Sequence, residues 1–236
     1  MKIGNHIIAP GQPIFIIGEL CSNIIHYLPN DLDLVIGEAV KSNATALKVQ
    51  LFTHKHFPEP EWESKKRVEF PRHLVPDFIR LCHKYDLLAG ASVFDEEAVD
   101  LLEQHGADYI KIAVREFDNI NLWQRVLESP LPKIASFDIG QNVDLPWARD
   151  TTWLACIPKY PNTSLRVPHY DKLTSWGWSS HYVRGDRCLD ILLAVAAGAQ
   201  IIERHFCLSE NDYEAGWSSD PKEFRQMVQD VRRLEG

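Results

Sequence analysis

The sequence has no run approaching the ~20 apolar residues that cross a bilayer, so a helical membrane span is not expected. Its opening residues carry one early lysine and then Gly4, Asn5, His6, Pro10 and Pro13 in place of a signal peptide's apolar stretch, so secretion is not expected either. C-x-x-C pairs are missing. The five cysteines, Cys21, Cys82, Cys156, Cys188 and Cys207, are odd in number and far apart, which fits reduced thiols rather than a disulfide framework and favours the cytoplasm. Basic clusters are missing as well. With Lys and Arg scattered and a formal net charge of -8, neither nucleic acid nor an anionic membrane is an expected partner, and any anion site has to be local. There is no linker, internal repeat or low-complexity tract, so one domain over residues 1–236 is expected.

What is present is ordinary globular composition, 45% hydrophobic and 25% charged, in a chain of barrel size. Short apolar runs alternate with helical patterns, the signature of parallel strands joined by crossover helices. The strand candidates are Phe15–Leu20, Ala46–Phe52, Leu88–Phe94, Tyr109–Ala113, Lys133–Phe137, Trp153–Ile157, Trp176–Ser180 and Gln200–His205. Eight such units predict an α/β fold, a (β/α)8 TIM barrel. Asp220-Pro221-Lys222-Glu223 supplies a cap, a first-turn proline and an N3 carboxylate for the last helix, whose apolar stripe is Phe224, Met227, Val228 and Val231. The first helix starts at Asn30 or Asp31 and turns Leu32, Val35, Ile36, Ala39 and Val40 inward, and another runs from Asp95 to Gly106. Lys2–Gln12 reads as a small hairpin plugging the barrel bottom. Pro58–Pro71 is long and polar, as loops over active sites often are, and Gln141–Asp150 has room only for a stunted helix.

In such barrels the chemistry sits at the C-terminal strand ends. Those ends carry Glu19, Lys48 and Gln50, Ser92, Lys111, Ser136, Ser179 and His181, and Glu203 and His205; the members of each i, i+2 pair share one face. Lys48 and Lys111 each interrupt an apolar strand, which is costly unless an anion or a carboxylate meets the ammonium. Two readings stay open: a bound phosphate or carboxylate, or pairing with buried acids such as Glu19 and Glu203. His181 and His205 can offer two neutral imidazoles to one divalent cation, although hydrogen-bonded structural roles or general-base roles suit the same spacing. Glu203 can handle protons or support a metal's surroundings. His54 and His56 form an H-x-H after the second strand, where a loop or surface role is expected.

Trp176-Gly177-Trp178-Ser179-Ser180-His181, then Ala194-Val195-Ala196-Ala197-Gly198-Ala199, then Ile201-Ile202-Glu203-Arg204-His205-Phe206 resemble the ordered G-Y-S-D-H, A-V-A-x-G-A and I-E-K-H-F signature of the sialic acid synthases. Ile16-Ile17-Gly18-Glu19, Lys48-Val49-Gln50, Lys111-Ile112-Ala113, Cys156 through Tyr160-Pro161, and Ser218 with Asp220-Pro221 extend the likeness across the chain. The resemblance implies a metal-dependent condensation of phosphoenolpyruvate with an N-acetylmannosamine-like amino sugar to a nonulosonic acid and phosphate. By the same resemblance His181 and His205 hold the metal, Mn or Mg, and Lys48, Lys111 and Ser136 hold phosphoenolpyruvate. Glu19 and Glu203, with Lys111, are the catalytic set. Gln50, Ser92, Glu116, Tyr160, Ser179 and Glu214 complete the substrate contacts, and pairing as a homodimer is implied.

Departures bear on this expectation. Val114 stands for a family serine, Pro158 for an asparagine, Ile24 for a histidine, Ser180 for an aspartate, and Glu214 for a late acidic residue that is usually Asp. Each lost hydroxyl or amide removes a hydrogen bond worth about 0.5–1.5 kcal/mol. The chain ends at Gly236, just after the last barrel helix, so the family's small C-terminal antifreeze-like domain is expected to be lacking. Two alternatives therefore accompany the main expectation: a non-catalytic or regulatory barrel, and a carbon–carbon lyase or synthase using pyruvate.

Overall fold

The computed structural model describes residues 1–140, 148, 150–168 and 176–235. β1 (Lys2–Ile3) and β2 (His6–Ile7) form an antiparallel hairpin that turns at Gly4, whose φ of +53° a side chain would resist. The next strands are all parallel: β3 (Phe15–Glu19), β4 (Ala46–Gln50), β5 (Leu88–Val93), β6 (Tyr109–Ile112), β7 (Lys133–Asp138), β8 (Thr151–Cys156), β9 (Trp176–Ser180) and β10 (Ile201–Phe206). Pairing of β9 with β10 closes the ring, which is the expected (β/α)8 barrel. The two residues of β11 (Ser218–Ser219) extend it beside the end of β10, His205 opposite Ser218.

Among the described residues the outer layer comprises α1 (Leu32–Lys41), α2 (Trp62–Lys66), α3 (Val75–Lys84), α4 (Glu96–Gln104), α5 (Ile120–Glu128), α6 (Leu189–Ala196) and α7 (Pro221–Leu234). α7 carries the full reciprocal box between Asp220 and Glu223, and Asp95 caps α4 by accepting from the Ala98 N–H at 2.9 Å. Asp31 occupies the cap position of α1 but makes no side-chain capping bond. The expected polar loop Pro58–Pro71 holds the short α2, while the helix expected over Gln141–Asp150 lies mostly outside the described residues.

The period-two alternation of each strand splits the molecule into two cores. Outward residues such as Ile16, Leu47, Ala91, Ile110, Phe137, Trp178 and Ile202 pack against the helices. Inward residues stack in layers up the barrel axis. The lower layers are apolar: Phe15, Ile17, Ala46, Tyr109, Ile134, Leu154 and Ile201 close around Ile3 and Ile8, so the hairpin plugs the bottom as expected. Gly90 makes room there, because a Cβ on it would meet the Tyr109 ring 2.5 Å away. Two residues beyond Ile17, Ala46, Tyr109, Ile134 and Ile201 on the same strands, the inward positions are Glu19, Lys48, Lys111, Ser136 and Glu203.

Candidate active site

The register fixes which polar groups meet. Glu19 lies opposite Lys48, Ser92 opposite Lys111, and Glu203 opposite Ser179. All are buried. Lys48 Nζ is ion-paired with Glu19 Oε2, donates to Ser92 Oγ at 2.8 Å and lies 3.9 Å from Glu203 Oε1. Lys111 Nζ reaches across the barrel to Glu203 Oε1 at 2.5 Å, an oxygen that also accepts from Ser179 Oγ at 3.0 Å. Gln50 Nε2 donates to Glu19 Oε2 at 3.3 Å. Each lysine thus has a carboxylate, and the layer balances its own charge; an unpaired ion here would cost several kcal/mol.

Burial drags the Lys48 ammonium down to about 7, with Glu203 opposing. Burial alone would raise Glu203, but Lys111 and then Lys48 outweigh it and bring the carboxyl to about 2, so Glu203 is a carboxylate. Two buried oxygens of this layer, Ser136 Oγ and Glu203 Oε2, have no hydrogen-bond partner among the described residues. Polar atoms in such places are normally satisfied, so both are poised to bind a ligand or water that enters from above.

Above the charged layer opens a cavity of about 740 Å³. Of the residues expected from sequence, Gln50, Tyr160, His205 and Glu214 line it. The segment after β4 contributes Phe57, α2 contributes Lys65, and the turn after β6 contributes Arg115, whose guanidinium stacks 3.9 Å from the Phe57 ring centroid. His205 Nδ1 lies 2.7 Å from Glu214 Oε2, and the Glu214 N–H donates to Asn23 Oδ1 at 2.8 Å, so the loop after β10 is tied to the loop after β3. His181 Nδ1 donates to the Ile157 carbonyl at 3.1 Å, and its ring stands 5.4 Å from that of His205. Tyr160 covers His181 with ring centroids 4.3 Å apart.

These tautomers bear on metal binding. His181 Nδ1 is committed to a carbonyl and His205 Nδ1 faces a carboxylate, so Nε2 is the ring atom each side chain has left to offer a cation, and a carboxylate behind a histidine is the usual support of a metal ligand. Burial, then His205, holds His181 well below its ordinary value, so its ring is neutral. Burial works to raise Glu214, yet the neighbouring His205 keeps it below the usual carboxylate range. The donor set fits a divalent cation.

Glu116 departs from the group. It accepts from Asn119 Nδ2 at 2.8 Å and pairs with Arg115 at 3.5 Å, and it does not line the cavity. Cys21 does line it, although the sequence marked this residue only as a reduced thiol. Ligand atoms of Cys21, His205 and Glu214 lie within 4.8 Å of one another. The one available signal was position, two residues after the Glu19 that ends β3. His54 and His56 pair with Glu69 at 2.7 Å and Asp95 at 3.3 Å, the loop role expected of them.

The crystal structure of N-acetylneuraminic acid (sialic acid) synthetase from Leptospira borgpetersenii, in complex with citrate, superposes with a TM-score of 0.89 at 26% identity, covering 100% of this chain and 88% of that one. Pseudaminic acid synthase of Helicobacter pylori is 26% identical over 94% of this chain and 74% of its own length. The human N-acetylneuraminate-9-phosphate synthase is 27% identical over 83% of this chain and 58% of its own length. The model of the NeuB family matches residues 35–236, and the chain belongs to that family.

Proposed function

We propose that the chain is a phosphoenolpyruvate-dependent nonulosonate synthase acting on an N-acetylmannosamine-like amino sugar. C3 of phosphoenolpyruvate forms a bond to the open-chain sugar's aldehyde carbon, water adds at C2, and phosphate leaves. The observation that carries the reading is the buried, charge-balanced set Lys48–Glu19 and Lys111–Glu203, joined through the Gln50–Glu19 hydrogen bond to a cavity that Gln50, His205 and Glu214 line. Membership of the NeuB family and the synthase names of the relatives support it.

Lys48, Lys111 and Ser136 hold the phosphoenolpyruvate anion, exchanging part of their contact with Glu19 and Glu203 for the ligand. Glu203 Oε2, which has no hydrogen-bond partner among the described residues, is the acceptor for a proton from water or a hydroxyl. Glu19 receives Gln50 and keeps Lys48 oriented, while Ser92 and Ser179 fix Lys48 and Glu203. Tyr160 and Glu214 face the sugar; Glu116 would join them only by leaving Asn119. A divalent cation, Mn or Mg, held by His181 and His205 would supply Lewis acidity at the sugar carbonyl and offset the substrate's charge. The enzyme acts in the cytoplasm as a homodimer. Phosphate release from phosphoenolpyruvate by the purified chain, requiring the amino sugar and Mn or Mg and absent in His181→Ala, is the expected result; no release from wild type with either metal would refute the reading.

A second reading is favoured by the cavity wall, where Val114 and Pro158 set apolar groups. It keeps the fold and the metal without turnover, as a binding or regulatory barrel. Calorimetric titration of phosphoenolpyruvate with Mn separates the two, since the synthase requires binding at millimolar ligand or below.

A further inference from the structure

Arg204 stands where the outward face of β10 should be apolar. Its neighbours on that face, Ile202 and Phe206, pack into the outer core, yet the arginine between them is 1% exposed. Taking a guanidinium out of water is costly, and packing against the helices does not require it. Burial pushes the carboxyl of Asp190, fully buried on α6, above the usual range, and the charge of Arg204 opposes this. Arg204 Nη1 donates to the Tyr182 carbonyl at 2.7 Å and to Ser180 Oγ at 3.1 Å, and Nε donates to Ser219 Oγ at 3.0 Å. One rigid fork thus joins the chain leaving β9 to β11. What it holds leads to the cavity. The Asn162 N–H donates to the His181 carbonyl at 2.7 Å and the Val183 N–H to the Asn162 carbonyl at 2.8 Å, while the Arg184 N–H donates to the Gly216 carbonyl at 2.9 Å. The segment after β9 is therefore stitched on one side to the chain just beyond Tyr160 and on the other to the residue before Trp217. Tyr160 and Trp217 both line the cavity, their ring centroids 5.7 Å apart.

We infer that Arg204 is a positioning residue for the amino-sugar side of the site: from the outer core it fixes the segment at Tyr182 and, through it, the wall formed by Tyr160 and Trp217. The inference rests on the proposed synthase reading, in which Tyr160 faces the sugar, and adds to it a residue that lies outside the cavity. Lys48, Lys111 and Ser136, which hold phosphoenolpyruvate in that reading, stand on β4, β6 and β7, and the fork touches none of these strands. Loss of Arg204 therefore separates the two substrates, weakening the sugar and sparing phosphoenolpyruvate.

The test removes the fork together with the acid that its charge offsets, as Arg204→Met/Asp190→Asn, so that no carboxylate is left buried without a cation. With Mn present, KM for N-acetylmannosamine should rise on the order of 10- to 100-fold, the scale of a wall displaced by about 1 Å. Phosphoenolpyruvate affinity, read by calorimetry, should stay at the wild-type value. Acrylamide quenching of Trp217, taken as the difference from the matching Trp217→Phe protein, should increase. Arg204→Lys, which keeps a cation beside Asp190 but returns one donor group in place of the fork, should fall between wild type and the double variant, and it carries the same readouts if the double variant does not fold. Wild-type KM and quenching in a folded variant overturn the inference, as does an equal loss of both substrates, which is what a merely structural role would give. If wild type releases no phosphate with N-acetylmannosamine and either metal, the synthase reading fails, and the quenching alone decides whether Arg204 places the wall: an increase supports it and no change overturns it.

Discussion

The two ends of the barrel interior are built from the same strands and differ by one step of two residues. At the lower end Phe15, Ile17, Tyr109 and Ile201 pack around the hairpin; one or two layers up, the positions on β3, β4, β6 and β10 are Glu19, Lys48, Lys111 and Glu203. Apolar burial below needs no partner, because its stabilisation scales with area alone. The charged layer above is stable only as a unit, since each ion is held by its opposite. The lower end is therefore expected to set stability and the upper end to set chemistry.

The largest effect expected is at the upper end. Lys111→Met leaves Glu203 buried without its closest cation, so it should cost about 3–5 kcal/mol and abolish phosphate release. Adding Glu203→Gln should restore most of the stability, seen in urea unfolding, without restoring activity; recovery of activity in the double variant would break the division between the two ends. Next is Phe15→Ala at the lower end, expected to cost about 3–5 kcal/mol by emptying a packed site while leaving kcat near wild type. A large fall in kcat at temperatures where the variant remains folded would show that the plug also serves the chemistry. Asp220→Ala removes the box that starts α7 and should cost about 0.5–2 kcal/mol, read as a shift in the urea midpoint.

The smallest effect concerns pH. Asp95 caps α4 and is held below the usual carboxylate range; burial works against this, and hydrogen bonds from His56 and Arg72 outweigh it. A depressed folded value means that its stabilisation is present above the unfolded value of about 3.9 and is lost as pH falls through and below it. Asp95→Asn should therefore be less stable than wild type by about 1 kcal/mol at pH 7, with the difference shrinking below pH of about 4. A difference that stays constant down to acid unfolding would contradict that cause.

Most of the barrel was legible because period-two strands and capped helices leave local marks: β3 to β10 and the α7 box lie within a residue or two of where the pattern predicts them. The polar strand ends were legible too, because a lysine inside Ala46–Gln50 or Tyr109–Ile112 stands out from its apolar neighbours. The pairing of Lys111 with Glu203, 92 residues apart in sequence, depends on ring closure and has no local mark. Cys21 was missed because its significance lies in a left-handed turn and two neighbours contributed by β10 and the loop beyond it. Glu116 illustrates the reverse: its motif position suggested substrate, but Asn119 one turn on and Arg115 beside it are nearer partners.

Phosphoenolpyruvate titration of wild type and of Lys111→Met/Glu203→Gln by calorimetry, with Mn present and both proteins shown to be folded, addresses the central claim that the charged layer is the ligand's anchor. Heat of binding for wild type and none for the equally folded double variant is the expected outcome. Equal binding by both, or none by wild type, would contradict it.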